Sequence, residues 1–250
     1  MLSLVNIRKT YNGVTALESI NLSIQANKTT VLIGPSGCGK STLLRIMNGL
    51  VQPDTGTVHI EKTKLTPESA PGLRKKMGYV IQDGGLFPHL TAEKNITIMA
   101  HYLGWPDEKV KNRLDDLLGL TQFPKAAIHR YPTELSGGQQ QRISLMRALM
   151  LNPDLLLMDE PLGSLDPITR IELQNELREI FKTLSKTVVM VTHDIGEAGF
   201  FGDKIMLMRE GHIIQRGTLS EMIQSPADEF VTRFINAQRS PIDALAGGTS

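Results

Sequence analysis

Apolar and polar positions alternate in short runs from Leu2 to about Ile24, as in Leu4-Val5 and Ile20-Asn21-Leu22-Ser23-Ile24. That period of two predicts half-buried strands. Thr29–Ile33 is a more continuous run and reads as a buried strand, with the glycine-rich stretch Gly34–Gly39 directly behind it. Ser41–Leu50 then takes up helical spacing and ends at Gly49 and Pro53. Two further buried strands are predicted at Leu155–Met158, running into Asp159-Glu160, and at Val188–Val191, running into Thr192-His193-Asp194. Between them Asp166–Leu184 reads as an amphipathic helix, with Ile171, Leu173, Leu177, Ile180, Phe181 and Leu184 at helical intervals. Apolar strands alternating with helices imply a parallel sheet covered on both faces.

From about 86 to 150 the pattern is helical, as in Val110–Leu118 and Gln139–Leu151, and we expect a helical insert interrupting the α/β core. After Gly202 short strands return at Lys204–Met208 and His212–Gln215, with a final helix near Ser220–Ile223. The tail 240–250, ending Gly-Gly-Thr-Ser, is expected to be disordered, leaving 1–239 as the folded unit.

Composition narrows the classes. With 250 residues and 40 % hydrophobic content, the chain can bury a substantial core. Its 27 basic and 26 acidic residues give a net charge of +1, which argues against a dedicated nucleic-acid binder, so no nucleic-acid partner is expected. Cys38 stands alone, so no internal disulfide can form and a reducing compartment is expected. No apolar stretch approaches the ~18–20 residues of a membrane span. The start, MLSLVNIRKTYNG, lacks the features of a signal peptide. We therefore expect a cytoplasmic protein, held at any membrane by another chain.

The chemistry begins at Gly34-Pro35-Ser36-Gly37-Cys38-Gly39-Lys40-Ser41-Thr42, a full match to G-x-x-x-x-G-K-[ST] between a predicted strand and a predicted helix. Glycines there let successive backbone N–H groups turn inward around phosphates, and the helix N-terminus adds its positive end. Lys40 would reach the terminal phosphates and the Ser41 hydroxyl would ligate Mg²⁺. Cys38 reads as a small side chain fitting a tight loop. Asp159 and Glu160 end a buried strand, where ligands bind in open α/β sheets. One of them can hold Mg²⁺ while the other polarises the attacking water. Ser136-Gly137-Gly138-Gln139 has the spacing of a capping box, and the same helix start could serve as a second anion site.

Over nearly its whole length the chain resembles the ABC transporter ATPases. The resemblance rests on GPSGCGKST, on Gln82 in YVIQDGG, on LSGGQQQR, on LLLMDEP, on GSLD at 163–166 and on His193 in VTHD, six motifs in the family's order. It implies an α/β fold: a P-loop NTPase (RecA-like) core with an N-terminal antiparallel β subdomain and an inserted α-helical subdomain. It implies two copies head to tail, each ATP lying between the Lys40 loop of one and Ser136, Gly137, Gly138 and Gln139 of the other. It assigns Lys40 to the β- and γ-phosphates, Ser41, Gln82 and (through water) Asp159 to Mg²⁺, and Glu160 to general base. His193 would contact the γ-phosphate, Asp166 would communicate across the dimer, and Tyr11 would stack on adenine.

Within the family, MGYVIQDGGLFPHLT, RYPTELSGGQQQR, KTVVMVTHDIGEA and GTLSEMIQSPADEFV resemble the quaternary-amine or osmoprotectant importers. Such ATPases work at the cytoplasmic face of the membrane on integral permease subunits, fed by an extracytoplasmic solute-binding protein, and take up glycine betaine, choline or carnitine. Phe87 and Leu90 are then candidates for the groove that receives the permease. An amino-acid importer or an exporter ATPase is the alternative. A soluble ABC ATPase would be expected to bring a long heptad insertion, a second nucleotide domain or zinc-ligand cysteines, and a small-molecule kinase has no need of LSGGQ.

Overall fold

The computed structural model describes residues 1–82, 84–163 and 165–238; the tail expected at 240–250 lies outside them. Two sheets form. The first is antiparallel, in the order β2-β1-β4-β5, from β1 (Leu2–Tyr11), β2 (Val14–Ile24), β4 (Thr55–Ile60) and β5 (Thr63–Lys64). Tyr11 pairs with Val14 across Asn12 and Gly13, whose φ values of 49° and 81° make the tight two-residue turn that Asn-Gly favours.

The second sheet runs β10-β9-β3-β8-β7-β6. Its strands are β3 (Thr29–Ile33), β6 (Met77–Val80), β7 (Leu155–Asp159), β8 (Thr187–Val191), β9 (Lys204–Arg209) and β10 (His212–Gly217). All neighbours are parallel except β10, which returns antiparallel to β9. The strands that alternate with helices are thus parallel, as expected, and only the edge hairpin departs from them. The two-residue connection through Glu210 and Gly211 is too short for a crossover, so the strand after β9 must fold back.

Alternation along these strands divides the core. Val31, Ile33, Leu156, Met158, Val188, Met190, Ile205 and Leu207 face one hydrophobic cluster. Leu32, Leu155, Leu157, Val189, Val191, Met206 and Met208 face another, shared with the antiparallel sheet and with Leu43, Leu44, Ile46 and Met47 of α1 (Lys40–Met47). The helix behind the glycine loop is thus held between the two sheets, with apolar contact on both sides.

The other cluster is covered by helices. Between β6 and its parallel neighbour β7, after the short α2 (Ala70–Arg74) that precedes β6, the chain makes α3 (Ala92–Tyr102), α4 (Asp107–Leu120) and α5 (Gly137–Leu149). α4 and α5 match the helical patterns expected in the insert, α3 is added to them, and the buried apolar residues of all three join the sheet's own cluster. A Cβ on Gly78 would lie 2.6 Å from the carbonyl oxygen of Ala148, so α5 comes down against β6. Then follow α6 (Pro167–Leu184), α7 (Ile195–Phe201), α8 (Leu219–Gln224) and α9 (Glu229–Ala237). The helix expected near Ser220–Ile223 is α8; it is not the final one, because the chain resumes a helix after Pro226 with Asp228 as its N-cap. Among the described residues no helix is long and apolar enough to cross a membrane.

Candidate nucleotide site

Four adjacent parallel strands, β3, β8, β7 and β6, each hand over to a motif at their C-terminal ends. The glycine loop follows β3, His193 follows β8, Asp159-Glu160 closes β7 and Gln82 follows β6. The sheet therefore gathers segments spread over 160 residues of chain onto one edge, the edge where open α/β sheets bind ligands.

The loop's glycines are demanded by what surrounds them. Gly34, at φ 146°, would place a Cβ 2.2 Å from the Met208 carbonyl oxygen, and Gly39, at φ 104°, one 2.5 Å from that of Ala16. The loop is also tied to the β9–β10 turn, where the Gly211 amide donates to the Cys38 carbonyl at 3.2 Å. Lys40 is buried and its Nζ donates to the carbonyl oxygens of Gly34 and Pro35 at 2.8 and 2.9 Å. It has no carboxylate partner among the described residues, so its charge is available to an anion. Cys38 is buried as a small packing side chain; burial raises its thiol pKa in spite of Lys40 nearby.

Beside the loop, the Ser41 hydroxyl donates to Oδ1 of Asp159 at 2.9 Å. Asp159 is 1 % exposed, and burial raises its pKa, only partly countered by the Ser41 hydrogen bond and the charges of Arg45 and Lys40. Two hard oxygen donors thus converge where a carboxylate lacks a direct cationic partner, which fits a hard cation such as Mg²⁺. The glycine cradle and the buried lysine fit a polyphosphate.

Glu160 adopts φ 45° and its amide donates to the Val191 carbonyl at 2.9 Å. That turn points its side chain at the end of β8, where Oε2 lies 3.2 Å from Nδ1 of His193. Glu160 keeps 23 % side-chain exposure and His193 64 %, so water reaches both. Gln82 is exposed in the turn after β6. Tyr11, 44 % exposed at the hairpin tip, is on the strand pair whose Ala16 and Leu17 touch Gly39.

Ser136 caps α5 in a reciprocal box, its Oγ accepting from the Gln139 amide at 3.3 Å and Gln139 Oε1 from the Ser136 amide at 3.1 Å. No hydrogen bond joins this helix start to the glycine loop among the described residues. It meets α6 instead: a Cβ on Gly138 would lie 2.6 Å from Cγ2 of Thr169, and one on Gly137 3.4 Å from Leu165. Asp166 caps α6 by accepting from the Thr169 amide at 3.1 Å, and hydrogen bonding by Thr169, through its side chain first and this amide second, lowers its carboxyl pKa.

Sequence reasoning missed the groups that hold these segments. Ser144 donates to Gly84 O, and the Arg147 guanidinium to Gly84 O and Gly85 O, all at 2.8 Å, strapping α5 to the segment after Gln82. Arg142 and Glu176 pair through two hydrogen bonds between α5 and α6. Behind His193, Glu197 is buried against Thr192. The glutamate lies in VTHDIGEA, but nothing local in that string marks it as buried.

Fold and site together define a P-loop nucleotide-binding protein. The chain belongs to the ABC transporter family, whose profile matches residues 17–163. It is 46 % identical over 240 residues, 96 % of its length, to the choline transport ATP-binding protein OpuBA of Bacillus subtilis. It is 40 % identical over 246 residues to the glycine betaine uptake system ATP-binding protein YehX of Escherichia coli, covering 98 % of this chain and 80 % of that one. The chain spans 63 % of the length of OpuBA. Among solved structures, a dimeric post-hydrolysis state of the ATP-binding cassette MJ0796, bound to ADP and Pi, aligns with TM-score 0.80 at 34 % identity, over 88 % of this chain and 99 % of that one. The structure of cbiO1 from Clostridium perfringens, part of the ABC transporter complex cbiONQ, aligns with TM-score 0.82 at 28 % identity, over 98 % of each chain.

Proposed function

We propose that this chain is the ATP-hydrolysing subunit of an ABC importer for a quaternary-amine osmoprotectant such as glycine betaine, choline or carnitine. The observation that carries the ATPase reading is the meeting, at adjoining strand ends, of buried Lys40, the Ser41–Asp159 pair and the Glu160–His193 pair. The solute reading rests on relatives whose names specify choline, carnitine, glycine betaine or osmoprotectant transport. A sulfate/thiosulfate importer ATPase of Synechocystis is 43 % identical over 92 % of this chain, so identity supports the importer class more firmly than the solute.

In this reading the loop amides and Lys40 hold the phosphates of ATP, and Tyr11 stacks on its base. Glu160 takes the proton of the water that attacks the terminal phosphorus, the bond to the ADP oxygen breaks in line, and His193 holds the phosphoryl oxygens. Ser41, Gln82 and Asp159 (through water) would hold Mg²⁺, which supplies neutralising charge on those oxygens. One copy presents half of each site. A second copy, head to tail, closes it with Ser136, Gly137, Gly138 and Gln139, and Asp166 communicates between the copies. The folded unit is 1–239, with its helical insert at about 86–150 receiving the permease near Phe87 and Leu90. The working place is the cytoplasmic face of the membrane, peripheral through permease subunits, with an extracytoplasmic binding protein acting through them.

Glu160→Gln is expected to keep ATP binding and lower turnover by about 10²–10⁴-fold, the range for loss of a general base. Undiminished turnover would remove Glu160 from that role. Lys40→Ala should weaken ATP binding, measured by calorimetry. For the solute, purification from mildly solubilised membranes should bring down a polytopic permease, and quaternary amines should then stimulate the complex. Stimulation by sulfate or an amino acid instead would reassign it.

A further inference from the structure

The chain leaving β6 carries Gln82 on a turn that packing does little to hold. Gln82 is exposed, and the Gly84 amide closes the turn by donating to the Ile81 carbonyl at 3.1 Å. Gly84 and Gly85 follow at φ 71° and 53°, two left-handed residues in succession. A Cβ on Gly85 would collide with the Ile81 side chain, so the exit of the turn folds back on its entry. Gly84 is buried outside any strand or helix, and its carbonyl must find a donor elsewhere.

One face of α5 supplies the donors. The hydroxyl of Ser144, fully buried, donates to the Gly84 carbonyl at 2.8 Å. The Arg147 guanidinium forks across both carbonyls, to Gly84 and to Gly85, each at 2.8 Å. Gln141 lies on the same face, its Oε1 3.7 Å from where a Cβ on Gly84 would stand. Arg147 also sits over the Phe87 ring, 5.9 Å from its centroid. Burial lowers the Arg147 pKa, so keeping a cation here carries a desolvation cost that an apolar packing residue would not. A planar fork of donors can bridge two neighbouring carbonyls, which an ammonium does less well.

We propose that Arg147, with Ser144 beside it, is the positioning residue for Gln82. The fork fixes the exit of the turn, and the exposed glutamine is thereby presented in one direction at the end of β6, next to the β7 end that carries Asp159. This deepens the ATPase reading above and rests on its assignment of Gln82 to Mg²⁺. Neither Arg147 nor Ser144 touches nucleotide; both act through the loop.

The test uses two readouts on the purified full chain, hydrogen exchange and steady-state ATPase activity. Arg147→Ala should speed exchange at the Gly84 amide about tenfold by local opening, with the amides of β7 and β8 unchanged. It should lower kcat roughly tenfold to a hundredfold, the scale of a small misplacement of reacting groups, with KM for ATP within about twofold. Arg147→Lys keeps the charge without the fork and should fall between parent and Arg147→Ala. Ser144→Ala, which leaves the fork in place, should move both readouts the same way by less. Since Arg147 acts through the glutamine, Gln82→Ala combined with Arg147→Ala should be no slower than Gln82→Ala alone. The inference is overturned if Gly84 exchanges as in the parent, if kcat of Arg147→Ala stays within about twofold, or if the two losses multiply in the double variant. Exchange quickened equally across β7 and β8 would overturn it too, by making Arg147 a support of the fold in general. If Arg147→Ala does not fold, Arg147→Lys and Ser144→Ala are held to the same exchange and double-variant criteria. Undiminished turnover in Gln82→Ala would instead remove Gln82 from the ATPase reading, and this inference with it.

Discussion

Gly138 sets how near the start of α5 can come to α6. A methyl group there meets the Thr169 methyl at 2.6 Å, and a threonine has no flexible end to swing away. Gly138→Ala should therefore destabilise by about 1–3 kcal/mol in urea unfolding, the usual cost of overpacking, and Thr169→Ser should return most of it. No recovery in the double variant would mean that the glycine is needed for its backbone or for a ligand. At this scale the sequence was informative wherever the chemistry is local. The glycines of 34–39 and the Ser136–Gln139 box could each be read because a residue and its partner lie within a few positions. Glu197 could not, since its burial comes from packing between elements that no local spacing declares. Glu197 also adds a pH signature. Its folded pKa is raised, so the folded state favours its protonated form, and the penalty grows as pH rises from the ordinary carboxylate range through the raised value. Any stability gained by Glu197→Gln should be present above that window and vanish below it, as followed by thermal unfolding against pH.

Helices and strands were legible in proportion to how far their own sequence declares them. Thr29–Ile33, Leu155–Asp159 and Thr187–Val191 are continuous apolar runs and were placed to within a residue or two. Met77–Val80 was not, because Met77 and Tyr79 are half exposed while a glycine serves the close approach of α5, and its pairing partner in the sheet is 78 residues on. α3 hides for another reason: its buried face includes Asn95 and Thr97, which break the apolar period. Asn95 is fully buried, with its Oδ1 accepting from the Phe87 amide and its Nδ2 directed to the carbonyls of Phe87, Leu90 and Thr91. It therefore holds the loop that presents Phe87, 43 % exposed, at the surface. Asn95→Ala should cost about 1–3 kcal/mol for the groups left unpaired and should speed hydrogen exchange at the Phe87 amide. Unchanged exchange there would show that the loop is held by something else.

In the whole molecule, sheet order does what no motif can do alone, since it turns four distant strand ends into neighbours. The six motifs were legible as a list, but their adjacency required the order β3-β8-β7-β6. The far end of the chain joins this arrangement in a way the sequence reading left out. Phe230, Val231, Phe234 and Ile235 of α9 have helical spacing, and Val231 and Ile235 are buried in the same cluster as the sheet's helical face. What the spacing does not reveal is where α9 ends: Oε1 of Gln238 accepts from the Ile195 amide at 2.8 Å. That amide is the first N–H of α7, a donor with no partner inside its own helix, and it lies two residues beyond His193. The C-terminal helix thus completes the cap of the element that carries the histidine turn. Gln238→Ala should cost about 1 kcal/mol, which would appear as roughly fivefold faster exchange at the Ile195 amide by local opening. Amides in β3 and β8 should be unaffected if the opening is local. Slower turnover accompanying that local change would mean that α9 steadies the catalytic edge, whereas faster exchange across the whole sheet would mean that it supports the fold in general.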